Sequence, residues 1–429
     1  LITLILIPII FSFLPAPTVK QMHYLEAKRI TKALAWVDRL VHHRRKAIYI
    51  VITLLTLLGF VGMYSIQLNG YVVDDLPKED PVYLDLKYFE SNFKGVLPFE
   101  ISVDTKKRNG IVSGGGTNLY KIQRLQKVMA QYPEFSRPLS VVEAIKFSYQ
   151  AYRGGNPKYY LLPASSELQK LSGYFGSVKG KENQLKNFMD TGKQITRISL
   201  QMADVGSDRT KKLLNEIQPR IDSIFSPDKY NVNLTGHSLI FLKGNDYLLR
   251  NLVESLLIEI LLIALVGIAL FRSVRIILLS KLPCLIPLII TAGVMGFLGI
   301  RFKPSTILIF SIAFGISSDG TIYFLTKYRQ ELKKRTRSAG ECISLAIRET
   351  GQSMIYTTVI LFCGFSIFAA SGFGGTVALG VLISITLLVS LATNIILLPA
   401  ILLSIASRVS KNELLEKPFI EIDEEEEPA

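Results

Sequence analysis

The sequence predicts a polytopic α-helical membrane protein that carries one large aqueous α+β domain. Its 429 residues are 49% hydrophobic and only 20% charged, whereas an average soluble domain is about 25% charged. The apolar residues are also collected in runs of about 20, the length that crosses a bilayer as a helix. One long interval between the runs is mixed in polarity. Segregation of this kind excludes a purely soluble enzyme.

Six apolar runs reach spanning length. They are Ala47–Ile66, Asn251–Phe271, Ile276–Ile300, Ser305–Leu325, Met354–Ala370 and Thr376–Ile405. A shorter run, Leu1–Leu14, is interpreted as the end of a span from a preceding repeat, with a signal peptide as the alternative. The repeat is suggested because Leu4–Pro8 (LILIP) lines up with Ile395–Pro399 (IILLP) in the last run. The prediction is thus six full spans and one partial span.

These runs divide the chain into six segments. We predict the end of a span at 1–15, a basic linker at 16–46, a span at 47–66, an extracytoplasmic domain at 67–249, a five-span bundle at 250–405 and an acidic tail at 406–429.

The distribution of basic residues predicts the orientation. The connections 16–46, 272–275, 327–352 and 406–429 together carry 20 Lys and Arg, and the two short connections on the other side carry 2. The positive-inside rule therefore places the first set in the cytoplasm and residues 67–249 outside. The net charge of +14 then reflects topology and attraction to anionic headgroups, for example at His42–Lys46. A nucleic-acid partner is not predicted.

The outer interval predicts strand–helix–strand units. Strands are expected at Leu97–Asp104, Gln194–Asp204 and Tyr230–Thr235, and helices at Asn118–Ala130 and Ser207–Ile224. Units of this size suggest small split βαβ layers of the ferredoxin-like kind. Residues 148–193 are expected to be part helix and part loop.

The sequence offers no obvious enzyme chemistry. Gly114–Gly116 is not followed by the Lys-Ser/Thr of a phosphate loop. The three cysteines have no zinc or disulfide spacing, and three of the four histidines lie in 16–46. We therefore expect no catalytic set, no metal and no cofactor.

The residue that indicates function is Asp319, within an apolar run. An ionised carboxylate at membrane depth costs about 2.5–3.5 kcal/mol on insertion scales, so it usually faces a bundle interior or a wet cavity. Ser311, Gly315, Asp319 and Tyr323 follow at i, i+4 spacing, and Ser318 lies beside them. The hypothesis is a carboxylate that binds a proton or cation and drives a conformational cycle. The alternative is a structural aspartate that bonds to nearby hydroxyls.

Other residues are assigned supporting roles. Tyr323, Ser318, Thr357 and Thr358 are predicted to belong to the proton relay with Asp319. Gly315 and Gly320 are predicted to allow close helix packing. Glu259 is expected to line a substrate groove. The hydroxyls and amide expected opposite Asp319 are Ser353, Thr357 and Thr358 of the next run, or Thr393 and Asn394 of the last.

The architecture and one motif resemble a known superfamily. Residues 313–329 (AFGISSDGTIYFLTKYR) are similar to the G-I-x-x-D-D-T-I-H-F-L-x-R-Y-R segment of the bacterial lipid-exporter-like (MMPL- and Patched-like) members of the resistance–nodulation–division superfamily. Phe271–Ser273, followed by Pro283 and Pro287, also resembles that family. The resemblance covers nearly the whole chain, as a second half-repeat plus the end of the first.

The resemblance implies a transporter driven by the proton motive force, in the inner membrane of a bacterium with its large domain in the periplasm. Asp319 matches the first acid of the motif, while the second acid is Gly320 here and the histidine is Tyr323. A partner acid is then expected from the first half, because these proteins pair their two central helices. The expected partners are protons, membrane lipids and a lipid-like or amphipathic substrate, with self-association as a further option. The alternative is a non-transporting sterol-sensing-type or protein-translocation accessory protein.

Overall fold

A computed structural model describes residues 2–14, 28–66, 70–71, 75–177, 187–271, 274–334 and 337–405. The fold is mostly helical, with one small sheet. The helices are α1 Ile2–Phe13, α2 Lys28–His43, α3 Arg45–Tyr64, α4 Pro81–Phe93, α5 Thr117–Met129, α6 Val141–Tyr152, α7 Ser165–Ser177, α8 Gly206–Ile224, α9 His237–Phe271, α10 Val274–Phe297, α11 Pro304–Lys333, α12 Ala339–Ser366, α13 Gly374–Ala392 and α14 Leu398–Ile405.

Five of the described helical stretches are long and apolar enough to cross a membrane. They are Arg45–Tyr64, His237–Ala269, Thr306–Lys333, Ala339–Ala370 and Gly374–Ile405, and a shorter apolar stretch, Lys281–Phe297, lies in α10. Each predicted run from Ala47 onward thus falls on a helix. The run Leu1–Leu14 falls on α1, whose apolar side chains from Ile5 onward are exposed.

Several helices extend well beyond their apolar runs. α9 begins at His237, so no break in secondary structure marks the predicted domain boundary at residue 250. α12 begins at Ala339, where Ser338 and Glu341 form a reciprocal capping box. The apolar run marks only the most hydrophobic part of such a helix. Its continuation depends on capping and on packing of its first turns.

The segment that the sequence predicts to lie outside, here named the outer domain, is built on three strands. They are β1 Leu97–Asp104, β2 Ile195–Met202 and β3 Asn231–Thr235, in the order β2-β1-β3. β1 is antiparallel to both neighbours, with Ile101 opposite Ile198 and Leu234. β2, α8 and β3 therefore form a split βαβ unit around β1. The sequence predicts several βαβ layers, but the described residues form this single sheet. The chain after β1 returns as β2, which is antiparallel to β1 and therefore forms no second βαβ unit with it.

The domain core lies between this sheet and two helices. The side chains of β1 alternate, so that Phe99, Ile101 and Val103 face the core. They pack with apolar residues of α5 and α8, which recur at helical spacing: Leu119, Ile122, Leu125, Met129, Leu213, Ile217 and Ile221. The predicted strands and both predicted helices are confirmed to within a few residues.

Helices α3 and α10 approach so closely that their backbones touch. A Cβ atom added to Gly59 would lie 2.9 Å from the carbonyl oxygen of Ile289, and one added to Gly293 or Gly296 would overlap the backbone of Gly59 or Gly62. Small residues permit this kind of packing between helices in lipid. We call these four glycines the glycine seam.

Two prolines within α10 determine how the last span is held. Pro287 has no N–H, so the carbonyl of Pro283 loses its usual helical donor. The Thr393 hydroxyl donates to that carbonyl at 2.9 Å. Thr393 begins a π-helical turn, Thr393–Leu397, between α13 and α14. Such turns are rare and often lie at functional sites.

Candidate coupling site in the membrane bundle

Asp319 lies midway along α11, on a face that no described helix covers. Asp319 is exposed, and Tyr323 one turn later is 49% exposed. Leu308 and Ile312 lie on the same face and are exposed as well. The carboxylate therefore does not point into the interior of the described helices. It occupies an outward stripe in which apolar side chains surround one acid.

The structure separates Asp319 from the groups expected opposite it. Thr357 is exposed, and its hydroxyl donates to the carbonyl of Ser353 in its own helix at 3.0 Å. Thr358 is half-buried. Within the described part of the chain, no hydrogen bond joins either threonine to Asp319. The structure thus shows Thr357 bonded within α12, and the relay role of both threonines stays a prediction.

The opposite face of α11 carries a buried polar network. The Thr321 hydroxyl donates to Asn394 Oδ1 at 2.6 Å, and Asn394 Nδ2 donates to the Ser317 carbonyl at 3.1 Å. Cys284 Sγ lies 3.2 Å from Thr321 Oγ1. Asn394 is 1% exposed. Thr393 and Asn394 thus contact α10 and α11, respectively, behind the acid stripe.

Gly320 belongs to this interior face. A Cβ atom there would lie 2.9 Å from Asn394 Nδ2 and 3.0 Å from Met354 Cε. The glycine lets the π-helical turn approach α11. A second acid at this position, as in the resembled motif, would face Asn394 and not the Asp319 stripe.

Ser317 and Ser318 are buried next to Asp319 with spare hydrogen-bonding capacity. Both side chains are at most 2% exposed, and neither hydroxyl has a partner among the described residues. A buried polar group usually has one. Ser318 is a predicted relay residue. Ser317 is not predicted, because it lies off the i, i+4 stripe of Asp319 and faces the interior.

Glu259 of α9 lies at the edge of the Asp319 stripe. A Cβ atom built on Gly315 would be 3.4 Å from Glu259 Oε1, an ordinary contact distance. Gly315 thus leaves room for a carboxylate one turn from Asp319. Glu259 is half-buried, whereas Glu254 is exposed and pairs with Arg250 at 2.9 Å.

The outer end of α11 is tied to the connection that leads into the outer domain. Lys303 caps the helix, is 9% exposed and forms an ion pair with Asp75. The Gly374 N–H, at the start of α13, donates to the Asp75 carbonyl at 2.8 Å. A few residues earlier in the connection, the Gly70 N–H donates to Ser207 Oγ of α8 at 3.1 Å. This link between the acid-bearing helix and the outer domain was not predicted, since its partners are far apart in sequence.

Among the described residues, no group of three or more histidine, cysteine or acidic side chains could hold a metal ion. The side chains described above are carboxylates and hydroxyls: Asp319, Glu259, Ser317 and Ser318.

Comparison with known proteins gives two matches. The sequence model of a family described as the MMPL family matches residues 124–418. The protein MJ1562 of Methanocaldococcus jannaschii, which is named as a membrane protein, is 24% identical over 186 residues. That match covers 43% of this chain and 47% of the relative, so the aligned part spans about half of the relative's length.

Proposed function

The chain belongs to the MMPL family of transporter-like, multi-pass membrane proteins, and we propose that it is a proton-driven exporter of lipid-like or amphipathic substrates. In this proposal Asp319 binds and releases the coupling proton. The outer domain lies outside the cytoplasmic membrane and moves the substrate.

The observation that most supports the proposal is the position of Asp319 on the outward stripe of α11. Its ionised form costs about 2.5–3.5 kcal/mol at membrane depth, and protonation removes that cost. Because the acid lies on the outward stripe of α11, its protonation state changes what that stripe can pack against. We propose that the corresponding helix of a second bundle packs there, as the resemblance implies. Proton binding would then favour one arrangement of the two bundles over the other.

We propose that Glu259 is the second acid of the coupling site. The motif position that would carry it is Gly320, which faces Asn394, whereas Glu259 borders the stripe through Gly315. The two carboxylates would then border one stripe from neighbouring helices.

Glu259→Gln is therefore expected to change the pH dependence of transport, because it removes one of the two carboxylates that border the stripe. The measurement is dye export from cells over a range of external pH. The matched control is Glu254→Gln, since Glu254 is exposed. An unchanged pH profile for Glu259→Gln would remove Glu259 from the coupling site but leave Asp319 in place.

Motion is proposed to pass from Asp319 to the outer domain through α11 and the Lys303–Asp75 pair. The helix is continuous from Pro304 to Lys333, so a tilt at Asp319 moves its outer end. Lys303 holds Asp75, and the same connection reaches Ser207 of α8.

Lys303→Met is expected to destabilise the folded protein by about 2 kcal/mol, because it removes a charge-assisted hydrogen bond to Asp75 in a mostly buried site. The measurement is thermal unfolding of the detergent-solubilised protein. Lys211→Met is the control, since the Lys211–Asp246 pair is about half exposed on both sides and exposed pairs contribute about 0–1 kcal/mol. Equal effects of the two variants would show that the Lys303–Asp75 pair does not hold the connection.

A further inference from the structure

The predicted linker 16–46 contains an amphipathic helix, α2, whose apolar face is docked on the bundle. Leu34 is 2% exposed and lies against Gly351 of α12. Val41 is fully buried and packs with Leu397 and Ala400 at the end of the last span. These contacts fix the rotation of α2, so its opposite face points away from the bundle.

That opposite face is a stripe of basic residues around one tryptophan. Its exposed members recur at positions i, i+3, i+7, i+10 and i+14, and we call them the basic stripe: Arg29, Lys32, Trp36, Arg39 and His43. Trp36 is 57% exposed. The only acid of α2 is Asp38, which accepts a hydrogen bond from Ser344 of α12 at 2.7 Å on the docked side.

The charges of the stripe are not neutralised within the protein as described. Arg39 Nε donates to the Ala35 carbonyl of its own helix. In the described ranges, no ion pair involves Arg29, Lys32 or Arg39. Three cations on one surface with no acid among them attract an anionic partner.

The position of the stripe and its tryptophan favour a lipid partner. α2 ends at His43, and α3, a helix long and apolar enough to span, begins at Arg45. α2 therefore lies where the chain enters the membrane. Tryptophan prefers the headgroup level, where its ring is in an apolar environment and its N–H is solvated. On a helix face that contacts only water, an exposed indole would make no favourable apolar contact.

We propose that the basic stripe binds anionic phospholipid headgroups at the membrane surface beside the start of α3. Arg29, Lys32 and Arg39 contact the phosphates, and Trp36 inserts at the headgroup level. Each basic residue near an anionic surface strengthens binding roughly fivefold, so the three together select anionic over zwitterionic lipid. The site is independent of the Asp319 stripe.

The test uses Trp36 as its own probe, since it is the single tryptophan of the sequence. The protein is reconstituted in nanodiscs of phosphatidylcholine and phosphatidylglycerol, with brominated acyl chains on one lipid or the other. Fluorescence of a Trp36→Phe sample is subtracted. At low salt, brominated phosphatidylglycerol is expected to quench Trp36 more per mole than brominated phosphatidylcholine, by at least about fivefold, the contribution of one basic residue. Added salt should reduce this preference.

Variants separate headgroup binding from general charge. The triple variant Arg29→Gln, Lys32→Gln, Arg39→Gln is expected to abolish the preference. A control that removes three exposed charges from the outer domain, Lys94→Gln, Lys107→Gln, Arg108→Gln, should retain it. Equal quenching by the two lipids would overturn the proposal. So would a preference that appears only after deletion of Glu421–Glu427, because the acidic tail would then be the occupant of the stripe.

Discussion

Replacing Asp319 by asparagine is expected to reduce transport by the complete protein by roughly 100-fold, the scale of losing one positioned acid–base group. The amide is close in size to the carboxylic acid but cannot release a proton, so the stripe on α11 keeps its shape and loses its titration. The measurement is export of a fluorescent amphipathic dye from energised cells. The residual rate should not change with external pH or with a protonophore.

A matched control removes a carboxylate elsewhere. Asp246→Asn changes an exposed residue paired with Lys211 on the surface, and it should export dye at the wild-type rate with the wild-type pH response. Expression and membrane insertion of both variants are compared first. Full transport with a normal pH response in Asp319→Asn would remove this residue from the coupling mechanism.

Gly293→Leu is expected to destabilise the bundle by about 3 kcal/mol or more. Gly293 belongs to the glycine seam, where an added side chain meets the backbone of Gly59. Overpacking a close contact typically costs about 1–3 kcal/mol, and here no flexible side chain can move aside. Helices α3 and α10 must separate. The measurement is the temperature at which half of the solubilised protein leaves the monodisperse chromatographic peak.

Gly364→Leu is the control for this variant. Gly364 lies in α12, and a Cβ atom there meets nothing within 4 Å. The substitution adds the same side chain to an exposed helix position and should leave the unfolding temperature within a few degrees of the wild type. If the two variants were equally stable, the seam would not be a close contact.

The sequence predicted the helices of the bundle and the strands of the outer domain because their patterns are local. Apolar runs, the alternation in Leu97–Asp104 and the helical spacing in 206–224 depend on neighbouring residues only. The basic residues of 16–46 predict a linker, whereas the structure has α2 in that stretch. Leu34, Val37 and Val41 do recur at helical spacing, but the charges around them dominate the pattern.

The candidate site was predicted only in part, because it depends on rotation and on contacts distant in sequence. Asp319 and its stripe follow from i, i+4 spacing, but the spacing does not tell which neighbour covers the stripe. Thr357, for example, is bonded to Ser353 of its own helix. Gly59-x-x-Gly62 and Gly293-x-x-Gly296 are visible signals that could have indicated the seam. Lys303 and Asp75 are separated by more than 200 residues, so nothing local pairs them.

The measurement that tests the central claim most directly is transport in proteoliposomes of the complete protein under an imposed pH gradient with the membrane potential clamped at zero. The probe is a fluorescent phospholipid whose exposure is read with an impermeant quencher. We predict movement that requires the gradient, reverses when the gradient is reversed and disappears in Asp319→Asn. Movement at the same rate without a gradient, or no movement by wild-type protein under either gradient, would contradict proton coupling. Absence of movement would favour a sensing or accessory role.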